Sequence, residues 1–130
     1  MNHKSLLAPF AASALLLALS GNASAAASLA LKGCMDGANT TATMVSCNAT
    51  ETKLQDERLN KAYKTALAAQ EGKRKQRLQN VQRLWIKYRD ANCAFAGSAT
   101  GGSIDQFNGS NCLLDMTRTR AQELENLVGP

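Results

Sequence analysis

Apolar residues recur at intervals of three and four through most of this chain, and the intervals divide it into segments. From Thr40 or Thr41 onward, Val45, Leu59, Ala62, Tyr63, Ala66 and Leu67 follow that spacing, the mark of an amphipathic helix. A Thr side chain satisfies free amides at a helix start. Glu57 stands four residues before Lys61, the favourable order for a surface pair. Glu71-Gly72 supplies the stop, because Gly takes the left-handed position after a helix without penalty. A second helix is predicted over 73–95, with Leu78, Val81, Leu84, Trp85 and Tyr88 as its apolar stripe. Residues 97–110, GSATGGSIDQFNGS, carry turn chemistry and read as a loop. Ser110 or Asn111 is placed to cap a third helix, with Asp115 in its first turn where the dipole favours a carboxylate. Leu113, Met116, Arg120, Leu124 and Leu127 mark one face of it. Residues 26–40, with Gly33, Gly37 and Asn39, read as an irregular lead-in tied down by Cys34. No stretch alternates with period two for long enough to be a strand. The fold expected is all-α: a small disulfide-stapled helical domain made of a long antiparallel helix hairpin plus a third helix.

The first 25 residues do not fit that pattern. A short positive start ends at Lys4, an apolar run follows from Leu6 to Leu19, and Ala23-Ser24-Ala25 gives small-x-small. This is the form of a removable export signal. The run, roughly 14 residues, falls short of the ~20 needed to span a bilayer, so a membrane-spanning anchor is not expected. No Cys follows directly for lipid attachment. The reading is a signal over 1–25 and a single domain over 26–130, in a periplasm or outside the cell.

Removing the signal changes the chemistry that is possible. His3 is the only histidine of the 130 residues, and it leaves with Lys4. The mature chain keeps 14 Lys and Arg against 10 Asp and Glu, a net charge of +4. Without histidine, neither a Ser-His-Asp arrangement nor a zinc site using imidazole can be built. Aromatic residues are few, so widespread stacking on bases or sugars is not expected. Asp90 and Asp115 are carboxylates with no visible convergence, and Ser103 has no visible base. The balance leans away from an enzyme and towards a binding module without cofactor or metal.

Cys34, Cys47, Cys93 and Cys112 in an exported chain of this size point to two disulfides. Their spacing lacks Cys-x-x-Cys, which argues against a metal site. Four cysteines allow three pairings. The local set, Cys34–Cys47 and Cys93–Cys112, closes two short loops, each worth on the order of 3 kcal/mol by the chain-entropy model. A crossed Cys47–Cys93 pairing also suits an antiparallel hairpin. The local set is preferred.

The most distinctive string is Gln82-Arg83-x-Trp85-x-x-x-Arg89-Asp90-x-x-Cys93. Cys47 and Leu59-Asn60-x-x-Tyr63 precede it, and Gly101-Gly102-Ser103, Cys112, Thr117 and Arg120 follow. In this order and with all four cysteines, the chain resembles the LprI-like family of small exported proteins, named after a mycobacterial lysozyme inhibitor. The resemblance runs from about Cys34 to Leu127. It implies a disulfide-bonded helical domain with an export signal, and inhibition of a host or competitor lysozyme. The chain differs from the namesake in having no lipid-attachment Cys after the signal.

Three groups of residues are candidates for function. Trp85 lies on the apolar stripe and is expected to pack against the first helix. Arg89 and Asp90 are adjacent, about 100° apart on a helix, and are not expected to face each other. Asp90 is expected to cap the amides of the third helix, and Arg89 to meet a carboxylate or loop carbonyls. Gly101-Gly102-Ser103 lacks the Lys and the preceding strand of a phosphate-binding loop. It reads as a tight turn, or as a protruding recognition loop that enters a lysozyme groove. There its amides and Ser103 would donate to the catalytic acids, with Arg89 in support. Against this stands charge, since typical animal lysozymes are basic and so is this chain. The third group, Lys73, Arg74, Lys75 and Arg77, gathers four positive charges at a helix start, where the dipole disfavours them. This basic hairpin tip is the alternative binding element, docking on anionic envelope components. No apolar wedge is evident beside it, so the contact is expected to be weak and salt-sensitive. Nucleic acid is not expected as a partner of an exported protein.

Overall fold

A computed structural model of the protein describes residues 22–129, with side chains from residue 29. Most of the expected export signal lies outside the described residues. Four helices make up the described part: α1 (Asn22–Asp36), α2 (Thr41–Ala68), α3 (Gly72–Ala96) and α4 (Ile104–Asn126). No strand occurs among the described residues, in keeping with the all-α reading.

The limits of α2 and α3 follow from local chemistry. Thr40 and Thr43 form a reciprocal cap: each side-chain oxygen accepts from the other's amide at 3.1 Å. Two of the otherwise orphaned donors at the helix start are thereby satisfied. At the far end Gly72 has φ +50, a left-handed conformation that suits glycine, and the chain reverses there into α3. The Gly97 amide closes α3 by donating to the Cys93 carbonyl at 2.9 Å.

Two boundaries differ from expectation. The lead-in is not irregular, since α1 runs through Asp36 before the chain turns at 37–40. The loop expected over 97–110 is shorter, because α4 begins at Ile104 instead of at Ser110 or Asn111. Gly109, Ser110 and Asn111 are weak helix formers by propensity. Tertiary contact overrides that preference. Gly109 lies directly against Gly97, and Ser110 Oγ accepts a hydrogen bond from Asn48 Nδ2 at 3.0 Å while donating to the Phe107 carbonyl.

The hairpin of α2 and α3 is present in connectivity, but α4 is the partner both share. Asn48 bonds to Ser110, and ten residues further along α2 Arg58 bonds to Gln122 and Glu125, so α2 and α4 run parallel. Arg120 bonds to Gln82, and Cys112 to Cys93, so α3 runs antiparallel to α4. Side-chain volume explains the spacing. Ala62, Ala66 and Ala121 are buried together with Leu59 and Leu124, and alanines let helix axes approach closely. Tyr63, Leu78 and Trp85 pack against that cluster, and α2 and α3 make little direct contact with each other.

The inward face of α4 is Leu114, Thr117, Ala121 and Leu124. Leu127, expected on that face, is 48 % exposed. Much of the α2–α4 seam is polar. Asn48, Glu51, Gln55 and Thr117 are all buried, and Gln55 Nε2 donates to Glu51 Oε1 at 2.8 Å. Arg58 extends the seam by donating to both carboxylate oxygens of Glu125 and to Gln55 and Gln122. Such pairs hold a parallel helix pair in one register, since a slip strands several polar groups at once.

The disulfides are Cys34–Cys47 and Cys93–Cys112, the local set, with Cα–Cα distances of 5.8 and 5.4 Å. One joins α1 to α2 and the other α3 to α4. Both lie at the end of the molecule that carries the 97–103 loop. The α2–α3 turn and its basic residues lie at the opposite end.

Candidate functional site

Residues 97–103 leave α3 and return into α4 under unusual constraint. A Cβ on Gly97 would stand 3.3 Å from the carbonyl oxygens of both Asp105 and Cys93, so only glycine fits the crossing without displacement. Gly101 adopts φ +75, which also calls for glycine. The organiser of the loop is Asp105. Its carboxylate accepts from the Thr100 amide at 3.0 and 3.1 Å, from Thr100 Oγ1 at 2.9 Å and from the Gly101 amide at 2.7 Å. The Thr100 amide, above all, holds the Asp105 carboxyl below its usual pKa; burial opposes the shift, and the Gly101 amide and Thr100 hydroxyl reinforce it. Sequence reasoning missed Asp105 because it fell inside the supposed loop. The available signal was an acid four and five positions after Gly101 and Thr100, in reach of both amides.

Gly101, Gly102 and Ser103 are all exposed at the tip. Two of the three amides expected to serve a partner are used internally. That of Gly101 goes to Asp105, and that of Gly102 goes to Thr100 Oγ1 at 3.1 Å. The Ser103 and Ile104 amides and the Ser103 hydroxyl donate to no described group. Ser103 is the residue before α4 but makes no side-chain cap. The loop is therefore a fixed turn with its donors concentrated at Ser103.

The motif on α3 forms a tie between helices. Gln82 is buried and accepts from Arg120 Nε at 3.0 Å. Two guanidiniums approach the Trp85 ring, with Arg89 5.1 Å and Arg120 5.9 Å from its centroid. Both are within cation–π range. Arg120 also pairs with Glu123 at 2.7 Å. The expectation that Arg89 and Asp90 do not face each other is corrected. The Arg89 Nε and Nη2 both reach Asp90 Oδ1 at 2.9 Å. A side chain that long overcomes a 100° angular offset. Arg89 also lies 4.0 Å from Asp56 on α2. Asp90 bonds to Arg89 and does not cap α4; the acid that organises the start of α4 is Asp105.

At the other end, Lys73, Arg74, Lys75 and Arg77 are exposed on the first turns of α3. Arg74, Arg77 and Arg120 line a cleft of about 400 Å³ together with Leu78, Val81 and Leu127. The absence of an apolar wedge beside the basic tip is corrected here. The single stripe expected on α3 divides into two. Leu78 and Trp85 pack inward, while Val81, Leu84 and Tyr88 are 48, 57 and 61 % exposed. Among the described residues no helix is long and apolar enough to cross a membrane.

The geometry is that of a small disulfide-bonded α-helical module that presents a fixed loop at one end and basic side chains at the other. The family model described as Lysozyme inhibitor LprI matches residues 34–124, and the chain belongs to that family. That span includes both disulfides, the Trp85 tie and the 97–103 loop. An uncharacterized protein of Rhizobium meliloti (strain 1021) is 34 % identical over 96 residues, covering 63 % of this chain and 69 % of its own. No solved structure matches. The family is described as one of lysozyme inhibitors, and this chain's two disulfides are consistent with an extracellular or periplasmic protein.

Proposed function

We propose that this protein is an exported inhibitor of a lysozyme, acting outside the cytoplasm, and that residues 97–103 are the element that enters the enzyme's groove. The observation that carries the reading is the family match over 34–124. Many lysozymes cleave glycosidic bonds with carboxylates set in a deep groove. A narrow tip of small residues suits such a groove, and the Asp105 contacts hold the tip in one conformation before binding. Little ordering then accompanies the complex, which favours affinity. The donors for the enzyme's acids are Ser103 Oγ and the Ser103 and Ile104 amides, because the Gly101 and Gly102 amides are engaged within the loop. Arg89 supports the reading only indirectly, since its guanidinium is held by Asp90 and Trp85.

Turbidity clearance of peptidoglycan by c-type, g-type and i-type lysozymes, with disulfide-intact protein titrated in, tests the function. Dose-dependent protection against one class is expected. Replacing the exposed Ser103 by Glu sets an acid against the enzyme's acids. That variant should melt like the wild type and fail to protect. Unchanged protection by it removes the loop from the mechanism, and no protection by wild-type protein at large molar excess removes the inhibitor reading for those enzymes.

A further inference from the structure

Val81, Leu84, Tyr88, Ala91 and Phe95 follow one another by three and four residues, so they share one face of α3. It is not the face that packs on α4, which carries Gln82, Trp85 and Cys93. Phe95 is 80 % exposed, and with Val81, Leu84 and Tyr88 it makes an apolar stripe along most of a 25-residue helix. Such a contiguous stripe marks an interaction surface.

Charge selects the occupant. Lys73, Arg74, Lys75 and Arg77 precede the stripe on the same helix, and Arg77 stands on its line, four residues before Val81. Arg83 and Lys87 follow. The acids nearby are Glu71, before the helix, Asp90 and Asp56, which face Arg89, and Glu123, which Arg120 of the cleft holds. A second copy of this chain would set two cationic helices against each other, and a basic lysozyme would do the same. An anionic bilayer satisfies both halves of the pattern. Apolar and aromatic side chains enter the boundary between headgroups and acyl chains, while cations meet the phosphates. The cleft at the basic end adds a place for a headgroup. Val81 and Leu127 line it beside Arg77, which has no side-chain partner among the described residues, and Arg74, which bonds only to Gln70.

We propose that the exposed face of α3 is a docking surface for anionic phospholipid, with the Val81–Leu84–Tyr88–Phe95 stripe seated in the interface and Arg74 and Arg77 on the headgroup phosphates. This proposal stands independently of lysozyme inhibition. It also changes the character of the basic tip: with an apolar stripe continuing from it, binding is not electrostatic alone.

Co-flotation of the disulfide-intact protein with vesicles tests it. Binding to vesicles of phosphatidylglycerol and phosphatidylcholine is expected to exceed binding to phosphatidylcholine alone. The double variant Leu84→Glu, Phe95→Glu, both at exposed positions, should retain the wild-type melting temperature and lose binding about tenfold or more. Arg74→Glu with Arg77→Glu should lower it as well. Raising salt to 1 M, where the Debye length falls to about 3 Å, should weaken binding without abolishing it. Equal binding by the Leu84→Glu, Phe95→Glu variant, or none by wild type on anionic vesicles, overturns the proposal. So does a wild-type dimer in sedimentation that this variant dissociates, because the stripe would then be buried between copies. Loss of lysozyme inhibition by the variant with vesicle binding intact likewise overturns it, assigning the stripe to a protein partner.

Discussion

Adding one methyl group at Gly97 tests the crossing that sets the loop. The new Cβ would stand 3.3 Å from the Asp105 and Cys93 carbonyl oxygens and 3.4 Å from Gly109 Cα. All three are backbone atoms, so no side chain can rotate aside. Gly97 has φ −82, which alanine adopts freely, so the backbone at this residue adds no strain. Gly97 also lies beyond the last residue of α3, where alanine's helix propensity offers little compensation. The effect is overpacking, expected to destabilise by about 1–3 kcal/mol. For a domain of this size that lowers the melting temperature by roughly 4–20 °C. Gly33→Ala is the control. A Cβ there meets nothing within 4 Å, and its position inside α1 gives alanine an advantage of up to about 1 kcal/mol. Thermal unfolding followed by far-UV circular dichroism, under non-reducing conditions at pH 7, compares the two. A Gly97→Ala melting temperature within 1–2 °C of wild type, as an assay threshold, would refute the claim that α3 and α4 touch backbone to backbone here.

Three further outcomes are expected. Asp105 has a lowered folded-state pKa, so its contribution to stability is fully present above the usual carboxylate pKa, about 4, and is lost as pH falls through the lowered value. The melting-temperature gap between wild type and Asp105→Asn should thus be widest near neutral pH and close in strong acid; a gap constant from pH 7 to pH 2 contradicts this. Arg58→Ala removes bonds to Glu125, Gln122 and Gln55 from a side chain that is 21 % exposed, and should destabilise by about 1–3 kcal/mol in urea titration. A loss below about 0.5 kcal/mol, the scale of an exposed surface pair, counts against a register-setting role. Thr117 Oγ1 is buried without a hydrogen-bond partner among the described residues, so Thr117→Val should be neutral or stabilising by up to about 2 kcal/mol. A clear destabilisation would show that the hydroxyl has a partner in solution.

What was legible in the sequence was local chemistry. Thr40 announced the start of α2, Gly72 the reversal into α3, and four cysteines the stapled end. What escaped depended on which surfaces meet. The run Gly109-Ser110-Asn111 has loop composition, and only the approach of Gly97 and Asn48 makes it helical. On α3, Leu78, Val81, Leu84, Trp85 and Tyr88 satisfy the spacing of one amphipathic stripe. Periodicity cannot tell which part is covered when a helix packs along a narrow face. The Trp85 motif was visible as a string, but its partner Arg120 lies on another helix. Asp105 was hidden by its surroundings, since a loop-like context led it to be read as one more turn residue.

The parallel seam between α2 and α4 has a consequence for how the chain reaches its native state. Its defining bonds join residues 62, 64 and 67 positions apart, whereas α2 and α3 have little direct grip on each other. A nascent chain that ends before α4 holds one half of its main interface and no partner for it. Cys34 and Cys47 can pair early, but Cys93 must wait for Cys112. Folding is thus expected to be completed only once α4 is available, so that the final segment commits the whole domain.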